Sequence, residues 1–296
     1  DFVNPGTPMI NDLSGNSAEN PMIAARTAVI DAKSDLEVAI LGADRSSYLA
    51  DVVKGMAETK RFAGVTSINV RSVTPTSKEL EAFDSIIVYS NYAYSNPEKI
   101  GDNLASYADS KGGVVCMTFE TSSWLKGCIL EGKWLKGKYG VFETTSKDTR
   151  NWNSLGKVLK PGNPLLKNFD SLEGYYRLNK TGVLQGATLV ANWKDGLPLV
   201  AYRQDIANVV GLNFFPASKR ALSNGWKTET DGWKLMANAL EWSAQGGSPD
   251  WLKVEPLSGV VKGKGKETVN VAFNSANLSE GNYSAELRVS SNDPVK

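Results

Sequence analysis

From Leu36 onward, short and wholly apolar runs alternate with longer segments whose apolar residues recur at helical spacing. Val38-Ala39-Ile40-Leu41 is followed by the break Gly42-Ala43-Asp44, then by Leu49, Val52, Val53 and Met56, which predicts a buried strand, a turn and a helix capped by Ser46 or Ser47. Ser67-Ile68-Asn69-Val70 and Ser85-Ile86-Ile87-Val88-Tyr89 read as further strands, separated by a helix that Thr76 caps and that runs through Leu80 and Phe83. Pro97 opens another helix through Ile100, Leu104, Tyr107 and Ala108, and the next strand comes from the stretch Gly112–Glu120, a buried strand that opens into a loop carrying a thiol, a hydroxyl and a carboxylate. Strands without polar alternation, each followed by a helix, predict an α/β domain with a doubly wound, mostly parallel sheet.

The rhythm stops between Thr121 and Tyr176, where Trp124, Trp134, Tyr139, Phe142 and Trp152 interleave with Gly and Lys. A long irregular insertion of this kind is expected to be functional or to pack as a lid. Beyond it, Thr188–Trp193, Leu199–Tyr202 and Val209–Phe214 read as strands joined by hairpins at Lys194-Asp195-Gly196 and 205–208, and a last helix runs from about Thr230 through Trp242. Residues 35–245 therefore form one expected domain. Residues 1–34, rich in Asn, Pro, Ser and Gly, precede it as an arm, and 246–250 follow as a linker. From 251 to 296 the pattern changes to short alternating strands, Trp251–Val254, Glu267–Phe273 and Tyr283–Val289, which predict a small all-β module lacking its last strand.

Charge adds mainly exclusions. With 33 basic against 32 acidic residues among 296, no global field favours nucleic acid or an anionic membrane. No apolar run has the length of a membrane-spanning helix, and Asp1–Pro5 does not read as a leader. No phosphate loop, dinucleotide fingerprint or metal-ligand spacing is present, so no cofactor is expected. Cys116 and Cys128 are read either as buried thiols or as a loop-closing disulfide. The decisive exclusion is that the chain contains no histidine, so no Cys-His-Glu or Ser-His-Asp machinery can be assembled from it alone.

Two resemblances rest on specific residues. The stretches Tyr89-Ser90-Asn91-Tyr92, Leu104–Tyr107 before Gly112-Gly113, Pro164-Leu165-Leu166 and Val210–Pro216 resemble the flavodoxin-like domain of the class I glutamine amidotransferase and trehalose-utilisation type in bacterial secreted proteins. In active members the strand equivalent to Val114-Val115 feeds a nucleophile elbow. Here Cys116 is followed by Met117-Thr118, and the histidine is missing. The tail motifs Pro256-Leu257-Ser258-Gly259, Phe273-Asn274, Gly281–Ser284 and Ser290–Pro294 resemble bacterial Ig-like modules of the ASH and BACON type, which implies a β-sandwich. The arm segment Glu19–Ile30, with Pro21, Met22, Ile23, Val29 and Ile30, resembles the continuation that the tail lacks. It is expected to complete an Ig-like sheet in its own chain or in a neighbour, or else to be an ordered arm or a strand of the first domain.

The resulting expectation is a non-catalytic extracellular or cell-surface protein, a subunit of an assembly or filament that self-associates or binds neighbouring surface proteins. Asp44, Asn91, Tyr92, Thr118 and Asn213 are the candidate ligand-binding residues, gathered at the carboxyl ends of the strands. Cys116 and Glu120 are degenerate catalytic candidates. The alternatives are an enzyme acting through Cys116 and Glu120, or through Glu120 paired with Asp44 or Asp231, and a carbohydrate-binding module using Trp124 or Trp134.

Overall fold

A computed structural model describes residues 35–110, 112–244, 252–255, 261 and 265–273. The arm with Pro21, Met22, Ile23, Val29 and Ile30, the linker at 246–250 and the expected strand Tyr283–Val289 lie outside the described residues. The chain divides into two units, the larger spanning Lys33–Gly247.

In the larger unit, β1 (Glu37–Ala43), α1 (Ser46–Glu58), β2 (Gly64–Ile68), α2 (Ser77–Leu80), β3 (Ser85–Ser90), α3 (Pro97–Asp109) and β4 (Gly113–Met117) follow in turn. The insertion holds α4 (Gly132–Lys136), the long strand β5 (Asp148–Val158) and the 3-10 turn Pro164–Leu166. After it come β6 (Glu173–Leu178), β7 (Thr188–Trp193), β8 (Pro198–Arg203), β9 (Val209–Leu212) and α5 (Gly232–Ala244).

All nine strands share one mixed α/β sheet of order β2-β1-β3-β4-β9-β8-β7-β5-β6. The first five in that order are parallel; β8, β7, β5 and β6 extend them with antiparallel pairings. The parallel part fits a flavodoxin-like arrangement, and its direction of winding reverses between β1 and β3. Because strand crossovers are right-handed, that reversal puts the helices on both faces. α5 packs on β3, β4 and β9 and also meets α1, while α3 packs with α2 and α4.

Local chemistry explains most boundaries. Thr76 and Glu79 form a reciprocal capping box at α2, and Asn96 caps α3 with Pro97 in its first turn. Contrary to expectation, neither Ser46 nor Ser47 caps α1. Arg45 occupies the cap position, and no side chain accepts from the first turn. At the β7–β8 hairpin Gly196 takes φ +88°, a conformation that only glycine adopts freely.

The core lies along β3, β4, β8 and β9, in which every residue is buried. Two buried arginines hold the antiparallel extension. Arg177 donates to Asp195 (2.7 Å) and Asn151 (2.6 Å) while lying over the Trp193 ring. Arg203 forks onto Asp205 (2.8 Å twice) and also donates to the carbonyls of Lys138, Gly140 and Gln185, pinning the insertion to β8. The smaller unit contributes an antiparallel ribbon, β10 (Leu252–Glu255) and β11 (Asn270–Phe273). Among the described residues no helix is long and apolar enough to cross a membrane.

Candidate functional site

The carboxyl ends of β1, β3, β4 and β9 bring the five candidate ligand-binding residues to one end of the sheet, but in two separate groups. The first lies at the winding reversal. Asn91 and Tyr92 donate their backbone N–H groups to the Ala43 carbonyl (3.0 and 2.9 Å), which fixes the loop after β3 against the end of β1. Asp44 Oδ1 accepts from the Arg45 N–H (2.7 Å) and from Asn91 Nδ2 (2.9 Å). Burial raises the Asp44 pKa above the ordinary carboxylate value, and the bonds from Asn91 and Arg45 offset part of that. The Tyr89 ring occupies the space where Gly42 lacks a side chain; a Cβ there would come within 2.7 Å of it. Its hydroxyl is beside Asp44, yet neither that hydroxyl nor Asp44 Oδ2 reaches a partner in hydrogen-bond geometry.

Thr118 and Asn213 form the second group, and both face inward. Thr118 Oγ1 donates to Asn213 Oδ1 (3.2 Å), which also accepts from the Leu178 N–H (2.7 Å). Asn213 Nδ2 donates to the carbonyls of Pro198 (2.9 Å) and Leu178 (3.3 Å), and its own carbonyl accepts from Trp193 Nε1 (3.0 Å). This amide is committed to joining β4, β6, β8 and β9.

Cys116 and Glu120 are likewise buried. After β4 the chain turns sharply: the Thr118–Phe119 peptide is cis, and the Glu120 N–H donates to the Met117 carbonyl (3.1 Å). The Glu120 carboxyl thereby folds back onto the Cys116 thiol. Cys116 is 1% exposed and Glu120 3%, with Tyr94, Ser90 and Cys128 also buried. Burial pushes the Glu120 carboxyl up to about 8, opposed only by its bond with Cys116. Burial also drives the Cys116 thiol well above its ordinary value, and neighbouring Glu120 adds to the shift. Cys128 is pushed up to about 11 by burial, and both cysteines are free thiols. A nucleophilic thiolate needs the reverse environment, accessible and electropositive.

The acid–base pairings have no such closeness. No second carboxylate acts on Glu120, and Asp231 is engaged by the amides of Asp170 (2.9 Å) and Ser171 (3.0 Å) and by Lys234. No group of three metal-ligating side chains occurs among the described residues. Of the two candidate carbohydrate-stacking residues, Trp134 is 2% exposed and stacks on Tyr139 at 5.4 Å, so it belongs to the core. Trp124 is exposed and meets Phe119 edge-on, at one end of an aromatic row that continues through Tyr176 and Tyr175 to the exposed Trp152. Reading residue types along the chain misses the buried hydroxyls of Tyr89 and Tyr94, on which the charges of Asp44 and Glu120 act; their places at the end of a buried strand and just beyond it were the available signal.

The sheet order and the burial of its central parallel strands fit a flavodoxin-like α/β fold. Among solved structures, a cytoplasmic protein of Salmonella typhimurium is similar over 70% of this chain and 98% of its own, at 13% identity and TM-score 0.50. A ThuA-like protein from Bacteroides uniformis (11% identity, 74% of this chain and 95% of that one, TM-score 0.49) and a glutamine amidotransferase from Thermotoga maritima (11%, 72% and 99%, TM-score 0.44) are also similar. At such identities the likeness is one of fold alone. No family profile and no curated protein matches the chain.

Proposed function

We propose that this chain is a non-catalytic binding or structural protein, an amidotransferase-like domain from which the nucleophile chemistry has been lost. One observation carries this reading: the Cys116 sulfur is enclosed and bonded to a Glu120 carboxyl whose pKa of about 8 keeps it largely protonated at neutral pH, in a chain without histidine. With the thiol raised by burial and the carboxyl mostly protonated, the pair is poorly suited to forming a thiolate at neutral pH. The test is labelling of the native chain with a maleimide across pH 6–9. Cys116 and Cys128 should react only after unfolding in guanidinium, whereas rapid, pH-dependent labelling of folded Cys116 would restore the enzyme reading.

Assembly at a cell surface or outside the cell is a second reading, favoured by the ribbon. β11 exposes Val271, and the two strands described there ordinarily need further strands for stability. Together with the Ig-like motifs of the tail, this supports completion by the arm strand around residues 20–31, within the chain or between subunits. Deleting residues 1–31 should lower the native mass seen by light scattering. An unchanged mass refutes assembly through that strand.

A further inference from the structure

The crevice at the winding reversal has a feature unrelated to Cys116 and Glu120. Arg45 and Arg71 converge on a single ring: Arg45 Nε donates to Tyr92 Oη (2.8 Å), and the Arg71 guanidinium lies 4.2 Å from the ring centroid. Both arginines are exposed, and among the described residues neither has a carboxylate within ion-pair distance. Asp44, whose charge acts on Arg45, is not within ion-pair distance of either guanidinium, so their remaining N–H donors are open to a bound anion.

Topology brings them together. Arg45 follows β1 and Tyr92 follows β3, while Arg71 follows β2; Asn69 is the hinge, donating to the Asp44 carbonyl (3.0 Å) and accepting from the Arg71 N–H (3.1 Å). α1 begins at the same point. It has thirteen residues, no acidic side chain in its first turn and no side-chain cap, so the N–H groups of Ser46 and Ser47 have no protein acceptor among the described residues. Open sheets bind ligands outside the carboxyl ends of their strands at such a reversal.

A groove begins at Ser46, the residue after Arg45. It has a volume of about 340 Å³ and runs between α1 and the edge strand β2, with Ser46, Lys54, Asn69 and Ser67 as polar lining and Leu49, Ala50 and Val53 as apolar lining. Its polar end is the start of α1, beside Arg45.

We propose that this corner and groove bind a phosphate monoester carrying an apolar body. The phosphate sits between the two guanidiniums and the amino end of α1, and the body lies along Leu49 and Val53. A dianionic head suits two planar guanidiniums and free amides better than a carboxylate does. The site shares no residue with the Cys116–Glu120 pair, so its failure and that of the non-catalytic reading are separately visible.

Phenyl phosphate, inorganic phosphate, phenol and benzoate titrated calorimetrically into the full chain test it. Phenyl phosphate should bind saturably and most tightly of the four, and Arg45→Ala with Arg71→Ala should weaken it about tenfold or more. Both side chains are exposed, so the double variant retains its fold, which an unchanged thermal melt verifies. Val53→Glu should weaken phenyl phosphate while leaving inorganic phosphate unaffected. Absence of saturable binding, unchanged affinity in the double variant, or phenol or benzoate binding as tightly as phenyl phosphate would each overturn the proposal.

Discussion

Replacing Glu120 by Gln isolates the energetic consequence of the buried carboxyl. In the folded chain this group titrates at about 8, against 4.5 as its ordinary value. Between those two values the unfolded chain has released the proton while the folded chain still holds it. Proton uptake is therefore greater in the folded state, and stability must fall as pH rises through the window. The slope is at most about 1.4 kcal/mol per pH unit, so the wild-type chain should lose roughly 2.5 kcal/mol between pH 5 and pH 7 and roughly 3.5 kcal/mol between pH 5 and pH 8 from this group alone. Below pH 4.5 the two states bind the same proton and the effect vanishes. Glutamine reproduces the donor and acceptor of the protonated acid without a titratable proton, so Glu120→Gln should flatten this part of the profile and gain roughly 3 kcal/mol at neutral pH. Urea unfolding of both proteins at pH 5, 6, 7 and 8, with the difference in free energy plotted against pH, reads it directly. Parallel profiles would refute the reasoning, because they would mean that Glu120 ionises in the folded chain as readily as in the unfolded one.

Two further perturbations probe the frame around the site. Arg203→Met removes a buried cation and leaves the carbonyls of Lys138, Gly140 and Gln185 without their donor; it should cost about 3–5 kcal/mol in urea unfolding, and a change under 1 kcal/mol would show that the insertion is held by other contacts. Gly42→Ala places a Cβ against the Tyr89 ring; it should destabilise by about 1–3 kcal/mol, and an unchanged thermal midpoint would show that the ring moves aside freely.

What the sequence makes legible follows from burial on both faces. Val38–Leu41, Ser85–Tyr89 and the start of Gly112–Glu120 carry no polar alternation and are read as buried strands; the structure places central strands there, the last of them at Gly113–Met117. β2 is displaced, expected at Ser67–Val70 and found at Gly64–Ile68, because an edge strand half open to solvent has few apolar residues to mark it. β5 is not readable at all: Asp148–Val158 is largely polar, and its pairing with β6 and β7 rather than any hydrophobic period makes it a strand. Within the site, the positions of Cys116 and Glu120 at the end of a buried strand are legible. The burial of Cys116 is also readable, but that of the Glu120 carboxyl is not, since Ser90, Tyr94 and Cys128 arrive from other segments. Arg71 likewise meets Tyr92 only because β2 lies beside β1.

The partnership of β4 with β9 also governs when this domain can come into being. Val114 aligns with Val209 and Val115 with Val210, so one edge of a central, wholly buried strand stays open until the entire insertion and the hairpins beyond it have been synthesised. Until then the first half of the domain presents an apolar, unpaired edge to other chains. During translation, β9 is thus the strand whose arrival commits the chain to its native topology.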